Sequence, residues 1–300
     1  MPAKTFPEKL IEQAAFFKKY NIEVEAYRRT GLKWSDLRSV YADFVSWRPQ
    51  LLPVATSIFD TLALGQGVHA GSQRVKDPEH VVEKIIRRSL EQESPWATPG
   101  NYRVVIRDLI GVRALHLFKE DWRRVDSWIK ENWRLTKKPV AKVRKTDPQY
   151  ILDEFRGAGC KIEVSDSGYR SVHYEFEAAV AKVKVGVELQ ARTLFEEAWG
   201  EISHQVQYPY FRGALLLENY LIALSRIAGM GDNVSSAVSV LREMAEAVRS
   251  RKPLDVRKEI SHRFDLRLDH IKEQPPPQND LLCNPALLEG TGMKAMLTPK

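Results

Sequence analysis

The apolar positions of the first 65 residues recur at helical spacing, in Leu10, Ile11, Ala14 and Phe17 and again from Leu37 to Trp47, so this stretch predicts helices. Pro49 and Pro53 predict an interruption. The run GQGVHAG (65–71) predicts a flexible joint; no strand precedes it and its glycine spacing is wrong for dinucleotide binding. From residue 69 the pattern changes. HAGSQRV predicts a short strand, and Asp77 with Pro78 supplies an N-cap and a first-turn proline for a helix to about Leu90. Val81, Val82, Ile85, Ile86 and Leu90 form its apolar face, with Lys84, Arg87 and Arg88 on the others.

Further along, IGVRALHLF (110–118) predicts a strand, and Trp122, Val125, Trp128, Ile129 and Trp133 mark an amphipathic helix. Residues 134–145 predict a strand or loop, followed by a helix near 147–157 closed by Gly157 and Gly159. KIEVS, YRSVHYEFEAAV and VKVGVELQA predict three strands. In the last, alternation places Glu188, Gln190 and Arg192 on one face. Thr193-x-x-Glu196 predicts a capping box at the head of the helix LFEEAWGEISHQVQY. Residues 211–250 predict two helices broken at GMGDN (229–233), and the stretch from EQPPPQND at 273 onward predicts a disordered tail. The order β-α-β-α-β-β-β-α with helical flanks predicts an α+β fold around a mixed sheet of about five strands. The expected organisation is a helical segment over 1–65, a central domain over 66–210, helices over 211–272 and the tail over 273–300.

Apolar content of 43% and charged content of 28% are ordinary for a globular chain. No apolar run approaches the roughly 18 residues a membrane span needs. Lys4, Glu8 and Lys9 stand where a signal peptide needs an apolar block, so a cytoplasmic location is expected. Cys160 and Cys283 are far apart, without CxxC spacing, and predict neither a zinc site nor a lasting disulfide. The net charge of +7 favours anionic partners mildly, because basic residues are spread almost evenly. The one dense run is Arg134, Lys137, Lys138, Lys142, Arg144 and Lys145, which is a solvated loop or, beside a nucleotide site, a phosphate clamp.

Transfer of a phosphoryl or pyrophosphoryl group needs a divalent cation, carboxylates to hold it and cations for the remaining phosphate charge. Asp108 in IRDLIGVRA and Glu188 in VGVELQART fit the carboxylate role, each at a strand beside basic residues. Either alone is an ordinary surface acid. Four segments together change that reading: SQRVKDPEHVVEKIIRRSLEQE (72–93), IRDLIGVRALHLF (106–118), SGYRSVHY (167–174) and ELQARTLFEEAWGEISH (188–204). In this order, over roughly 69–210, they resemble the synthetase domain of the RelA/SpoT alarmone synthetase family.

The resemblance implies a nucleotidyltransferase-like fold and a reaction in which the ribose 3′-hydroxyl of GDP or GTP attacks the β-phosphorus of ATP, releasing AMP, with Mg2+ as cofactor. It places Arg74, Lys76, Lys84 and Arg87 at the ATP phosphates and one side of the adenine, and Arg113 on the other face of that base. Asp108 matches the magnesium ligand; Glu188 matches the acid that helps hold the metal and activates the acceptor. Tyr169 matches the tyrosine stacked on the acceptor base, and His173 and Gln190 match further acceptor contacts. Lys142 and Arg144, from the basic run, are candidate acceptor-phosphate contacts. Tyr169 and His173 share a face, where packing is the competing role; Trp199 and His204 read as packing residues; Arg192 reads as orienting Glu188.

This chain departs from the family pattern in carrying His80 where small members often have serine, Glu197 where some have an amide, and a longer segment over 134–166. The acceptor is therefore open among a guanine nucleotide, an adenine nucleotide and the 3′ end of tRNA, with a catalytically inactive RNA-binding module as the reading from another class. A homo-oligomer is compatible with the sequence; a membrane partner is not expected. The residues before 69 contain no histidine, so the upstream histidine-aspartate motif with which larger members hydrolyse alarmones is not expected here.

Overall fold

A computed structural model describes residues 6–165, 168–207 and 215–249 of the chain. Three helices come first: α1 (Gln13–Tyr20), α2 (Val24–Arg29) and α3 (Trp34–Ala63). A central run then alternates β1 (Ala70–Val75), α4 (Pro78–Gln92), α5 (Tyr102–Val105), β2 (Ile110–His116), α6 (Trp122–Asn132), β3 (Val140–Arg144) and α7 (Gln149–Gly157). It closes with β4 (Lys161–Ser165), β5 (Ser171–Val180), β6 (Val183–Thr193) and α8 (Leu194–Gln207), and α9 (Leu215–Arg249) follows. The expected tail over 273–300 lies outside the described residues. Packing divides the chain into Met1–Arg242, which holds all six strands, and Glu243–Lys300, whose described part is the last turns of α9.

The fold is α+β around a mixed sheet, as expected; against the expected count of about five strands it has six, in the order β1-β2-β6-β5-β3-β4. β2 with β6 and β3 with β4 are parallel, and the other three neighbouring pairs are antiparallel. The basic segment is the source of the extra strand: Val140–Arg144 pairs on both sides, with β4 and β5. Alternation divides the sheet into two unlike faces. Val112, Ala114, Leu189, Ala191, Val172 and Tyr174 are buried on one. α6 covers part of that face, its Trp122 indole donating to the Tyr174 hydroxyl at 3.1 Å, which in turn donates to Asp126 at 2.9 Å. The other face carries the polar side chains.

Three expectations about chain breaks are corrected. α3 runs unbroken through Pro49 and Pro53. Both prolines are outside the buried stripe, while Leu37, Val40, Tyr41, Phe44, Trp47, Leu51, Ala55, Ile58 and Leu62 are buried at helical spacing along it. Packing of that stripe outweighs the roughly 3 kcal/mol an interior proline costs. The run 65–71 is a tight packing point instead of a loose joint. A Cβ on Gly65 would lie 2.5 Å from the Trp128 ring, and one on Gly71 would lie 2.3 Å from the Arg113 carbonyl oxygen. α9 likewise passes through 229–233 without a break. Its glycines serve close approach: a Cβ on Gly229 would stand 2.9 Å from the Arg144 guanidinium, and one on Gly231 2.7 Å from the Phe195 ring.

Candidate functional site

The polar face of the sheet is organised in rows set by strand register. Ser72, Arg113, Gln190, His173 and Val140 are successive partners across five strands, and Arg74, Gly111, Glu188 and Glu175 form the next row two residues along. Partnered residues point to the same side, so strand pairing alone brings Arg74, Arg113, Glu188, Gln190 and His173 onto one surface. Gly111 makes room within its row. A side chain there would begin 3.3 Å from Arg74 Nε, so the arginine lies across the strand at a position other residues would fill.

At one end stands Asp108, in the turn that leads into β2. Lys76, just past β1, donates to its Oδ2 at 2.7 Å, and Lys84 from α4 lies 2.8 Å from Oδ1. Burial by itself would raise the Asp108 carboxyl, but the two ammonium groups bring it down to about 2. Burial pushes the Lys76 ammonium below its usual value, with Asp108 opposing. Arg48 on α3 donates to the carbonyl oxygens of Val75 and Lys76, each at 3.3 Å, and so fixes the backbone that carries Lys76. Sequence reading missed Arg48, because nothing local connects it to a residue 28 positions away.

Glu188 stands on β6 with both carboxylate oxygens engaged. His173 Nδ1 lies 3.1 Å from Oε1, and the Gln190 amide donates to Oε2 at 2.9 Å. Burial would raise its carboxyl and the neighbouring Asp108 charge adds to that, yet the hydrogen bonds from His173 and Gln190 and the His173 charge interaction leave it below the ordinary value. The expected orienting role of Arg192 is corrected. Arg192 pairs instead with Glu197 and donates to the Tyr169 hydroxyl at 3.4 Å, while His173 and Gln190 hold Glu188.

Tyr169 lies just before β5, and its hydroxyl lies 3.3 Å from both His173 Nε2 and Gln190 Oε1. Its ring lies 5.9 Å from that of Trp199 on α8 and 5.7 Å from the Arg192 guanidinium carbon. Hydrogen bonds thus run from Tyr169 through His173 and Gln190 to Glu188. Arg113 is held by two acids one turn apart on α8, Glu197 Oε1 at 2.9 Å and Glu201 Oε1 at 2.5 Å. Their i, i+4 spacing was available in the sequence, but their shared target on β2 was not.

Two candidate residues lie apart from this cluster. Arg87 pairs along its own helix, with Glu83 at 3.2 Å and Glu91 at 3.4 Å. Arg144 is corrected from acceptor contact to buried support. Its guanidinium donates to the Ser225 hydroxyl at 3.0 Å and to the Ser225 carbonyl at 2.9 Å, and lies 2.6 Å from Glu196. It anchors α9 to the sheet. Lys142, two residues earlier, stays on the polar face, opposite Ser171 of β5. The capping box is only half made: the Glu196 amide donates to Thr193 Oγ1 at 3.2 Å, while the Glu196 carboxylate turns to Arg144. His204, expected to pack, is exposed beside a cleft of about 310 Å³ that Arg74, Lys76, His80 and Glu83 also line. Trp199 does pack, donating to the Leu221 carbonyl at 2.8 Å.

Among the described residues, no three histidine, cysteine, aspartate or glutamate side chains converge as a metal cage. Two neighbouring carboxylates suit magnesium, which takes one or two protein carboxylates and leaves its other positions to water and phosphate. No helix among the described residues is long and apolar enough to cross a membrane.

Comparison with known proteins agrees with the motifs. Residues 73–212 match the model of a region found in RelA / SpoT proteins. Over 186 residues the chain is 26% identical to the GTP pyrophosphokinase YjbM of Bacillus subtilis (strain 168), covering 60% of this chain and 75% of that protein. Small alarmone synthetase 1 from Bacillus subtilis superposes with a TM-score of 0.49 at 20% identity, covering 68% of this chain and 96% of that one. A GTP pyrophosphokinase family protein from Streptococcus pneumoniae gives 0.45 at 21%, covering 72% and 98%. Those structural overlaps are partial. Residues 73–212, which carry these motifs in order, are thus similar to the region found in RelA / SpoT proteins.

Proposed function

We propose that the chain is an ATP:nucleotide 3′-pyrophosphotransferase whose acceptor is a guanine nucleotide, GDP or GTP, and whose second product is AMP. The observation that carries this reading is the pair of half-buried acids held in opposite ways. Asp108 is clasped by two lysines, and Glu188 by a histidine and an amide. In the reaction, a bond forms from the acceptor 3′-oxygen to the β-phosphorus of ATP. The bond from that phosphorus to the oxygen bridging toward the α-phosphorus breaks, and AMP departs with the electron pair.

The hydroxyl proton needs an acceptor, and Glu188, half-buried beside His173 and held below the usual carboxylate value, is anionic at neutral pH. His173 and Gln190 fix the direction of its lone pairs. Lys76, Lys84 and Arg74 are the cations at hand for the triphosphate, and two of them already sit on an anion, Asp108. Magnesium, held by Asp108 and Glu188, would supply charge neutralisation on the phosphates. Arg113, once released from Glu197 and Glu201, offers a planar cation for the adenine, and Tyr169 offers a ring for the acceptor base.

The way the basic run is used supports a small acceptor. Arg144 is buried against α9 and Lys137 is paired with Glu175, so the run does not form a continuous track for RNA. A free nucleotide needs only a few cations. The test is incubation of the purified chain and magnesium with γ-labelled ATP and, separately, GDP, GTP, AMP, ATP or tRNA. Label on GDP or GTP with release of AMP is expected. Label on tRNA alone, or on none of them, overturns the proposal.

A further inference from the structure

Glu201 stands on α8 one turn beyond Glu197. Both acids accept from the same atom of Arg113, its Nη1, Glu201 at 2.5 Å and Glu197 at 2.9 Å. They differ in what else they hold. Glu197 is 17% exposed and also pairs with Arg192, whose side chain is almost fully buried. Glu201 is 45% exposed, and Arg113 is its ion-pair partner. Burial would raise the Glu201 carboxyl, but Arg113, and after it Arg192 and His204, bring it below its ordinary value, so it is charged at neutral pH.

Two arginines and two glutamates therefore meet where α8 lies over the sheet, and their unequal burial lets Arg113 leave. A fully buried pair such as Arg144 with Glu196 resists separation, because each partner would be stranded. Around Arg113 the cost is smaller. When its guanidinium withdraws from α8, Glu197 keeps Arg192 and Glu201 turns to water. The contact is a latch, and the half-exposed acid sets its strength. While it is closed, two carboxylates screen the positive charge of Arg113, and the pull of a guanidinium on the face of a base is electrostatic in origin. α8 also reaches the other donor-side cations: His204, three residues past Glu201, lines one cleft with Arg74 and Lys76. We propose, on the reading in which Arg113 stacks on the donor adenine, that Glu201 is a positioning residue that restrains donor binding by holding Arg113 against α8. Its removal then tightens ATP binding instead of weakening it.

Calorimetry with a non-hydrolysable ATP analogue and magnesium, on the full-length chain, tests this. Glu201→Gln keeps the size of the side chain and removes its charge. It should tighten analogue binding about fivefold and leave the affinity for GDP at the parent value. In an Arg113→Ala background, titrated to millimolar analogue, the same substitution should shift affinity less than about twofold, because the restraint acts through Arg113. An affinity that Glu201→Gln leaves unchanged or weakens overturns the proposal. So does equal tightening with and without Arg113, or of GDP alongside the analogue, which would make Glu201 no more than a negative charge near the phosphates. Failure of the analogue to bind the parent chain overturns the pyrophosphotransferase reading and this proposal together, whereas binding that ignores Glu201 overturns this proposal alone.

Discussion

On the proposed function, Asp108 is the residue on which stability and chemistry meet most directly. Its carboxyl lies near 2, well below the value of an unfolded aspartate, so it contributes stability above about pH 4 and loses it as pH falls toward 2. Asp108→Asn should therefore abolish pyrophosphoryl transfer and also lower unfolding free energy at pH 7 by roughly 2 kcal/mol, because two lysines lose their counter-charge. Glu188→Gln should abolish transfer with a smaller stability change, since His173 and Gln190 still meet a polar group. Denaturant titration beside an ATP-consumption assay checks both, and a near-normal rate in either variant removes the two-acid mechanism. On the donor side, Arg113→Ala should weaken ATP binding by about 1–3 kcal/mol through lost stacking and leave acceptor affinity nearly unchanged. Calorimetry with a non-hydrolysable ATP analogue would reveal the reverse if donor and acceptor halves are exchanged.

Elements are joined here by buried charge as much as by apolar packing. Where α8 and α9 meet the sheet, Glu196 is almost fully buried beside Arg144, and Arg170 pairs with Asp147. Burial raises the Glu196 carboxyl to about 7 despite both arginines. A raised acid binds more protons folded than unfolded, so its contribution is fully present below about pH 4.5 and is lost as pH rises through about 7. Glu196→Gln should thus gain on the parent chain between pH 5 and pH 8, by on the order of 2 kcal/mol. Melting curves at the two pH values decide it; an unchanged difference would mean that the carboxylate stays charged throughout. Gly229 poses the opposite contest. Alanine there gains up to about 1 kcal/mol of helix propensity, but its Cβ would meet a guanidinium pinned by Ser225 and Glu196. We expect Gly229→Ala to lower the melting temperature, because close packing at that point outweighs propensity.

At the scale of the molecule, the distribution of charge separates a small acceptor from a polymeric one. If the acceptor is a free guanine nucleotide, raising salt from about 50 to 200 mM should cost far less activity than the roughly thousandfold loss expected of six or more RNA phosphate contacts. A steep salt slope, flattened by replacing Lys142 and Lys145 with alanine, would favour tRNA. Arg144 does not belong in that variant, because its loss would detach α9 before it affected any ligand.

The sequence by itself determined the strand–helix order, the cap at Asp77, the shared face of Glu188 and Gln190, and the motifs by which residues 73–212 match the RelA / SpoT region. These follow from periodicity and residue type within a few turns or one strand, which local chemistry dictates. Tertiary structure decided the rest. It carried α3 through two prolines and α9 through GMGDN, because a buried stripe and close glycine contacts outweigh local propensity. It made a strand of 140–144 by supplying partners on both sides. It also buried Arg144 beneath α9 and left Lys142, on the same sheet face, partly exposed. Neighbouring charges look alike in a sequence, and only the elements that pack above them determine which one reaches a ligand and which is buried as a support.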